Sequence, residues 1–182
     1  MPSSRPEPIP YIANKLITIK PTSVLDIGIG FGKWGYLARE YCEIWQHINT
    51  AESYKKEKWK TRIDGIEIFA DYITPLQQEI YTNIYVGDAI DILPNLDHYN
   101  FIIASDILEH MNGETGTKFL DLIVDKCDHA FIVQPIKVLP QGSVYGNVAE
   151  THVYGWNAQE LELYGTVTVA GGAYILEINN IR

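Results

Sequence analysis

Glycines and a carboxylate meet at the end of a segment that is typical of a buried strand. Residues 23–28 predict this strand, and Gly30 and Gly32 continue the turn that follows it. Glycines permit a tight turn and let a ligand approach the backbone, where a Cβ atom would clash. Asp26 lies just before the turn. A carboxylate there must accept hydrogen bonds from the turn's amides or face a positively charged ligand group.

Two further carboxylates end the next two predicted strands. Glu67 closes the second strand, residues 62–68, and Asp88 closes the third, residues 83–88. Because ligands bind beyond the carboxyl ends of strands in an open parallel sheet, we expect these acids to lie near the glycine turn. The second acid can accept hydrogen bonds from both hydroxyls of a ribose. The third can accept a hydrogen bond from the amino group of an adenine. Together with Asp26, they favour a positively charged adenosyl ligand over a pyrophosphate.

Four stretches of the sequence resemble, in the same order, the motifs of the class I S-adenosylmethionine-dependent methyltransferases. Residues 24–32 are similar to the first motif of that family, and Glu67 to its ribose-binding acid. Residues 87–89 are similar to its adenine-proximal motif, and residues 104–110 to a signature that is common after the fourth strand of its small-molecule members. The resemblance covers residues 20–180 and implies that the chain is an enzyme of this type.

The resemblance also implies a cofactor site. S-adenosylmethionine would be held through its amino acid portion by the first motif, through its ribose by the acid of the second strand, and through its adenine by the third motif. The residues after the fourth strand would line the methionine end. The implied cofactor-binding residues are Asp26, Ile27, Gly28, Gly30, Gly32, Glu67, Ile68, Asp88, Ala89, Asp106 and Ile107.

Two histidines are candidates for a general base, although alignment of acceptor and methyl group can supply much of the rate without one. His110 follows Asp106 by one helical turn, and His152 lies in a long segment, residues 135–156, that could form a lid or an acceptor wall. A packing or capping role is the alternative for both. The remaining histidines have no comparable placement: His47, His98 and His129. No metal-ligand spacing is recognisable, so we expect no metal.

Apolar runs alternate with helical patterns along most of the chain. This order predicts a doubly wound, Rossmann-like α/β fold with a mostly parallel, seven-stranded sheet. The last two strands, residues 166–170 and 173–179, are too close for a helical crossover and must pair as an antiparallel hairpin. Residues 11–182 are expected to form a single methyltransferase domain behind a flexible, proline-rich arm at residues 1–10.

Helix boundaries are predicted by local patterns. An apolar stripe from Trp34 to Ile48 indicates a long helix, and a polar stretch at residues 49–61 follows it. Thr74 with Gln77 predicts a capping box, and Asn157 starts another capped helix.

The net charge of −9 argues against a broad nucleic-acid-binding face, so we expect a small-molecule acceptor and no nucleic acid. One basic run interrupts this balance, and it is either a solvated surface or a docking patch for an acidic partner: Lys55, Lys56, Lys58, Lys60 and Arg62.

No apolar run is long enough to span a bilayer, so no membrane association is expected. Cys42 and Cys127 are expected to be buried free thiols, which makes the cytoplasm the default compartment. The oligomeric state stays open.

Three functions are compatible with these patterns. The leading one is methyl transfer to oxygen or nitrogen of a small-molecule or glycan-like acceptor. The second is a nicotinamide-dependent oxidoreductase, because residues 30–35 fit the G-x-G-x-x-G spacing. In such enzymes the acid that binds the ribose follows the glycines by about 20 residues, whereas Glu67 lies much further along the chain. The third is a non-catalytic S-adenosylmethionine-binding subunit that uses the aromatic residues of the chain as an interface.

Overall fold

Seven strands build the centre of the molecule, which the computed structural model describes over residues 3–47 and 51–180. They are β1 (Ser23–Ile27), β2 (Arg62–Glu67), β3 (Asn83–Val86), β4 (Tyr99–Ser105), β5 (Cys127–Pro135), β6 (Thr166–Ala170) and β7 (Ala173–Asn179). Their order in the sheet is β3-β2-β1-β4-β5-β7-β6. The first five strands are parallel, and β7 runs antiparallel to both β5 and β6. This confirms the predicted doubly wound sheet and its terminal hairpin.

In the described part of the chain, six α-helices cover the sheet on its two faces. They are α1 (Ile9–Ile19), α2 (Lys33–Arg39), α3 (Pro75–Ile80), α4 (Ala89–Ile92), α5 (Gly113–Lys126) and α6 (Ala158–Glu162). Along β4, Phe101 and Ile103 belong to the core beneath α1 and α2, whereas Ile102 and Ala104 belong to the core beneath α5. None of the described helices has both the length and the apolar character that a membrane span requires.

Two helix starts follow the predicted capping chemistry. The Thr74 hydroxyl accepts the amide of Leu76, and Gln77 reaches back to the backbone of Thr74. Asn157 and Glu160 form the same reciprocal box at the start of α6. Both boxes are built from residues three apart in sequence, which explains why the sequence alone reveals them.

The predicted long helix after the glycine turn is shorter and irregular. Regular α2 ends at Arg39, a π-helical turn follows at Glu40–Ile44, and a 3₁₀ turn ends at His47, while Ile48 lies outside the described residues. The Arg39 guanidinium is buried and donates to the carbonyl oxygens of Thr61 and Ile80, each at 2.8 Å. These buried hydrogen bonds connect the end of α2 to the residue before β2 and to the end of α3. An apolar stripe in the sequence does not predict them.

Other element boundaries differ from the sequence patterns by a few residues. The first helix begins at Ile9, inside the segment assigned to the arm. Cys42 and Cys127 are both buried and free, as predicted.

Three residues of the basic run form local ion pairs. Lys55 bonds to Glu52 at 2.6 Å, and Lys56 bonds to Glu79 at 2.9 Å. Arg62 lies 3.3 Å from Asp97. These exposed pairs favour a solvated surface over a docking patch.

The packing between α2 and the chain after α3 yields a stability prediction. A Cβ atom at Gly35 would lie 2.3 Å from Cζ of the Tyr81 ring, which is 3% exposed. We expect Gly35→Ala to lower the free energy of unfolding in urea by about 1–3 kcal/mol, because overpacking outweighs the better helix propensity of alanine. Gly142→Ala is the matched control, since a Cβ there meets nothing within 4 Å. Equal effects of the two substitutions would contradict the packing argument.

Candidate functional site

A cavity of about 580 Å³ opens at the carboxyl edge of the parallel strands. The loops after β1, β2, β4 and β5 all contribute to its wall, through residues that include Gly30, Glu67, Asp106 and His152. A second hollow of about 370 Å³ continues from it beyond β3. The two hollows share five lining residues, Gly28, Ile68, Ile107, His110 and Ala149, so together they form one elongated cleft.

The glycine turn after β1 forms one wall of this cleft. Gly28 has a φ of +76° and Gly30 a φ of +45°, which are conformations that other residues rarely adopt. The amide of Gly28 donates to the carbonyl oxygen of Ile66 at 2.8 Å, which binds the turn to β2. A Cβ at Gly28 would also lie 2.0 Å from Cδ1 of Ile107. The glycine is therefore required both by the turn and by the residue that faces it after β4.

Glu67 holds the turn and also faces the cavity. Its Oε2 accepts the amide of Gly30 at 2.9 Å, and its Oε1 accepts the amide of Phe69 at 3.0 Å. The side chain is almost completely buried, and this burial raises the pKa of its carboxyl group. Each carboxylate oxygen retains a second lone pair, so Glu67 can still accept from hydroxyl groups of a ligand.

Asp26 lies behind the turn and is not among the residues that line the cleft. Its Oδ2 accepts the hydroxyl of Tyr81 at 2.5 Å and the amide of Gly35 at 3.2 Å. Among the described residues its Oδ1 has no hydrogen-bond partner, and complete burial raises the pKa of the carboxyl group to about 7. The structure thus gives Asp26 contacts that position the turn. Gly32 is likewise absent from the cleft wall.

The third carboxylate lies at the far end of the cleft. Asp88 is exposed, and its Oδ1 caps α4 by accepting the amide of Ile90 at 2.9 Å. Together with Ala89 it lines the second hollow, to which Ile27 also contributes. Both interpretations of Asp88 are therefore compatible with its position, as a helix cap and as a group that faces a ligand.

Asp106 is held by the N-terminal segment. It has a φ of +57°, and its two carboxylate oxygens accept from Nε of Arg5 at 2.9 Å and from the Arg5 amide at 3.1 Å. Lys33 donates to the carbonyl oxygen of Ser4. Residues of the segment expected to be a flexible arm therefore contribute to the cavity wall.

The two candidate histidines come together although they are far apart in sequence. The ring centroids of His110 and His152 are 5.0 Å apart, and both rings line the cavity. Burial lowers the pKa of His110. The remaining described histidine side chains lie elsewhere: His98 bonds to Asp128, and His129 lies 2.6 Å from Oδ1 of Asn179. The side chain of His47 lies outside the described residues.

Three residues that hold or line the site were not assigned a site role from the sequence. Tyr81 holds Asp26, and Nε2 of Gln77 donates to the carbonyl oxygen of Gly30 at 2.7 Å. Glu109 is 2% exposed, and burial together with the charge of Asp106 raises its pKa to about 8. The sequence signals were the capping box for Gln77 and the motif at residues 104–110 for Glu109, whereas Tyr81 had none.

No protein-family model and no curated protein matches the chain. Solved structures do match. An S-adenosylmethionine-dependent methyltransferase from Archaeoglobus fulgidus is 20% identical, over 85% of this chain and 65% of its own, with a TM-score of 0.57. A protein from Pyrococcus horikoshii is 16% identical, over 94% of this chain and 87% of its own, with a TM-score of 0.64.

A third similar structure contains S-adenosylhomocysteine. It is the magnesium protoporphyrin IX methyltransferase of Synechocystis, which is 14% identical over 93% of this chain and 80% of its own, with a TM-score of 0.55. At these identities the comparisons show the fold. The chain has the α/β fold of S-adenosylmethionine-dependent methyltransferases, as the resemblance in its sequence implied.

The burial of Asp26 predicts a pH-dependent contribution to stability. Its pKa is about 7 in the folded chain against 3.8 as the ordinary value, so the unfolded chain loses this proton first as pH rises. Ionisation therefore opposes folding between these two values. The test compares the free energy of unfolding of Asp26→Asn with that of the unsubstituted chain in urea titrations. We expect the difference, variant minus unsubstituted chain, to increase by about 2 kcal/mol from pH 5 to pH 7. Asp91→Asn, at an exposed position, is the control. A difference that does not change with pH would contradict the prediction.

Proposed function

We propose that this chain is an S-adenosylmethionine-dependent methyltransferase that acts on oxygen or nitrogen of a small-molecule or glycan-like acceptor. The observation that carries the proposal is the cleft itself, in which Glu67 lies between the glycine turn and the hollow beside Asp88. Along its length, an adenosyl ligand has a charged amino acid end, a ribose and an apolar base with one amino group. These groups would match the glycine turn, Glu67 and the hollow beside Asp88, in that order. The similar fold of cofactor-dependent methyltransferases supports the same conclusion.

The residues present fit this ligand. Glu67 would accept the ribose hydroxyls through lone pairs that its backbone contacts leave available. Ile68 and Ile107 offer apolar walls on the path to the second hollow, where Asp88 would accept from the base. The backbone at Gly28 and Gly30 would lie along the amino acid end. Asp26 would act from behind by fixing the turn.

The charge of the cavity also fits a cationic ligand. Four carboxylates line it, Glu67, Asp106, Glu109 and Glu150, beside the cations Arg5, Lys33 and Lys137. Arg5 is paired with Asp106, whereas Glu67 lies next to the glycine turn, where its carboxylate would attract a sulfonium or an ammonium group and disfavour a pyrophosphate. The bound cofactor would supply an electrophilic methyl group, and the chain's own residues would align an acceptor with it.

The acceptor would lie in the larger hollow, under the segment after β5. This segment contributes Pro135, Tyr145 and Asn147 to the wall. His110 and His152 face the same space, and their Nδ1 atoms lie near the carbonyl oxygens of Thr151 and Leu139. Each Nδ1 therefore carries the hydrogen, so an Nε2 atom that binds no cation can accept a proton from an acceptor hydroxyl.

Cofactor binding tests the proposal directly. We expect isothermal titration to show binding of S-adenosylhomocysteine and no binding of NADH. Glu67→Gln should weaken the binding of S-adenosylhomocysteine at least about 10-fold, because an amide replaces one charged acceptor with a donor. Glu79→Gln, at an exposed position on α3, is the matched control and should leave the affinity unchanged.

Three outcomes would contradict parts of the proposal. Binding of NADH without binding of S-adenosylhomocysteine would favour an oxidoreductase. Equal affinity of the Glu67→Gln and Glu79→Gln variants would remove the assigned ribose contact. Tight binding of S-adenosylhomocysteine without transfer of a labelled methyl group to any acceptor in a broad panel would favour a non-catalytic subunit.

A further inference from the structure

Three side chains with metal-binding atoms converge on one wall of the cavity. Glu109, His110 and His152 each offer one such atom, and these three atoms all lie within 4.8 Å of one another. All three residues line the same cavity. The expectation that the chain binds no metal rested on sequence spacing, whereas this cluster is assembled by the fold.

In both histidines, Nδ1 lies against a backbone carbonyl oxygen. Nδ1 of His110 lies 3.2 Å from the carbonyl oxygen of Thr151, and Nδ1 of His152 lies 2.6 Å from the carbonyl oxygen of Leu139. A carbonyl oxygen can only accept, so each Nδ1 must carry the hydrogen of a neutral ring. The lone pair then belongs to Nε2 in both rings. Backbone carbonyls that fix the tautomer in this way are typical partners of metal-binding histidines.

Glu109 is a buried carboxylate with an unsatisfied oxygen atom among the described residues. Its Oε2 has no hydrogen-bond partner in the part of the chain that the structure describes, and its side chain is 2% exposed. Within those residues no lysine or arginine forms an ion pair with it, since Arg5 is paired with Asp106 instead. Burying a carboxylate without a partner is costly, and a bound cation removes that cost.

The backbone fixes the distance between the two segments that carry the cluster. Glu109 and His110 lie in the 3₁₀ turn Leu108–His110 after β4, and His152 lies in the segment after β5. The carbonyl oxygen of Glu109 accepts the amides of Val153 at 2.9 Å and of Tyr154 at 3.2 Å. These bonds hold His152 next to the turn independently of any ligand.

We propose that Glu109, His110 and His152 bind a divalent transition-metal ion in the cavity. Two imidazoles and one carboxylate suit zinc, iron, cobalt or nickel, whereas magnesium prefers oxygen ligands alone. Three protein ligands leave coordination positions for water or for a substrate. These positions lie in the hollow assigned to the acceptor, so the ion is placed to bind an acceptor through an oxygen atom. That last step rests on the proposed function, and the metal site itself does not.

Metal titration of the untagged, chelator-treated chain tests the site. We expect one equivalent of Co²⁺ to bind with visible absorption bands of a nitrogen- and oxygen-ligated ion, and Zn²⁺ to displace it. His110→Ala, His152→Ala and Glu109→Gln should each weaken Co²⁺ binding about 10- to 100-fold or more. His98→Ala is the matched control, because its ring lies outside the cavity and bonds to Asp128. Circular dichroism of each variant verifies that it folds.

Several results would overturn the metal site. One is the absence of Co²⁺ and Zn²⁺ binding at micromolar concentrations, and another is a loss in His98→Ala as large as in His110→Ala. Tighter binding of Mg²⁺ than of Co²⁺ would exclude the transition-metal class. Titration with S-adenosylhomocysteine in the same samples separates the two proposals. Failure of the metal site leaves that binding intact, and failure of the proposed function leaves the Co²⁺ bands intact.

Discussion

The hydrogen bond from the Gly30 amide to Glu67 joins the ends of β1 and β2, and the cleft depends on it. The turn that contains Gly30 is also held from its other sides. Gln77 donates to the carbonyl oxygen of Gly30, and Asp26 binds the amide of Gly35 and the hydroxyl of Tyr81. A strained glycine turn with positive φ angles is thereby fixed before any ligand arrives. Such preorganisation reduces the entropy that a bound ligand would otherwise lose in ordering the loop.

Features that depend on neighbouring residues in the sequence could be predicted. The capping box at Thr74, the parallel strands and the terminal hairpin all follow from short-range patterns, and the structure contains each of them. The acids at the strand ends could be placed because parallel strands deliver their carboxyl ends to one edge. Glu67 and Asp88 therefore lie on the cleft wall as that rule requires.

Features that depend on tertiary contacts could not be predicted. Asp26 faces Tyr81 across 55 positions of sequence, and no pattern in either segment signals the pair. The same holds for Arg5, which binds Asp106 from a segment whose composition is typical of a loose arm. A spacing rule for metal ligands also fails where the ligands come from two different loops, as with His110 and His152. In each case, the tertiary fold brings together residues that are far apart in sequence.

The glycine turn, the N-terminal segment and the histidine cluster all adjoin carboxylates whose charge must be balanced. The carboxyl edge of the sheet brings several carboxylates together, and each one disfavours the ionisation of the next. Asp106 is neutralised by Arg5, but Glu109 has no such partner among the described residues and its pKa is raised to about 8. A cavity of this kind gains stability from cations. A sulfonium beside the glycine turn and a metal ion at Glu109 would each supply one.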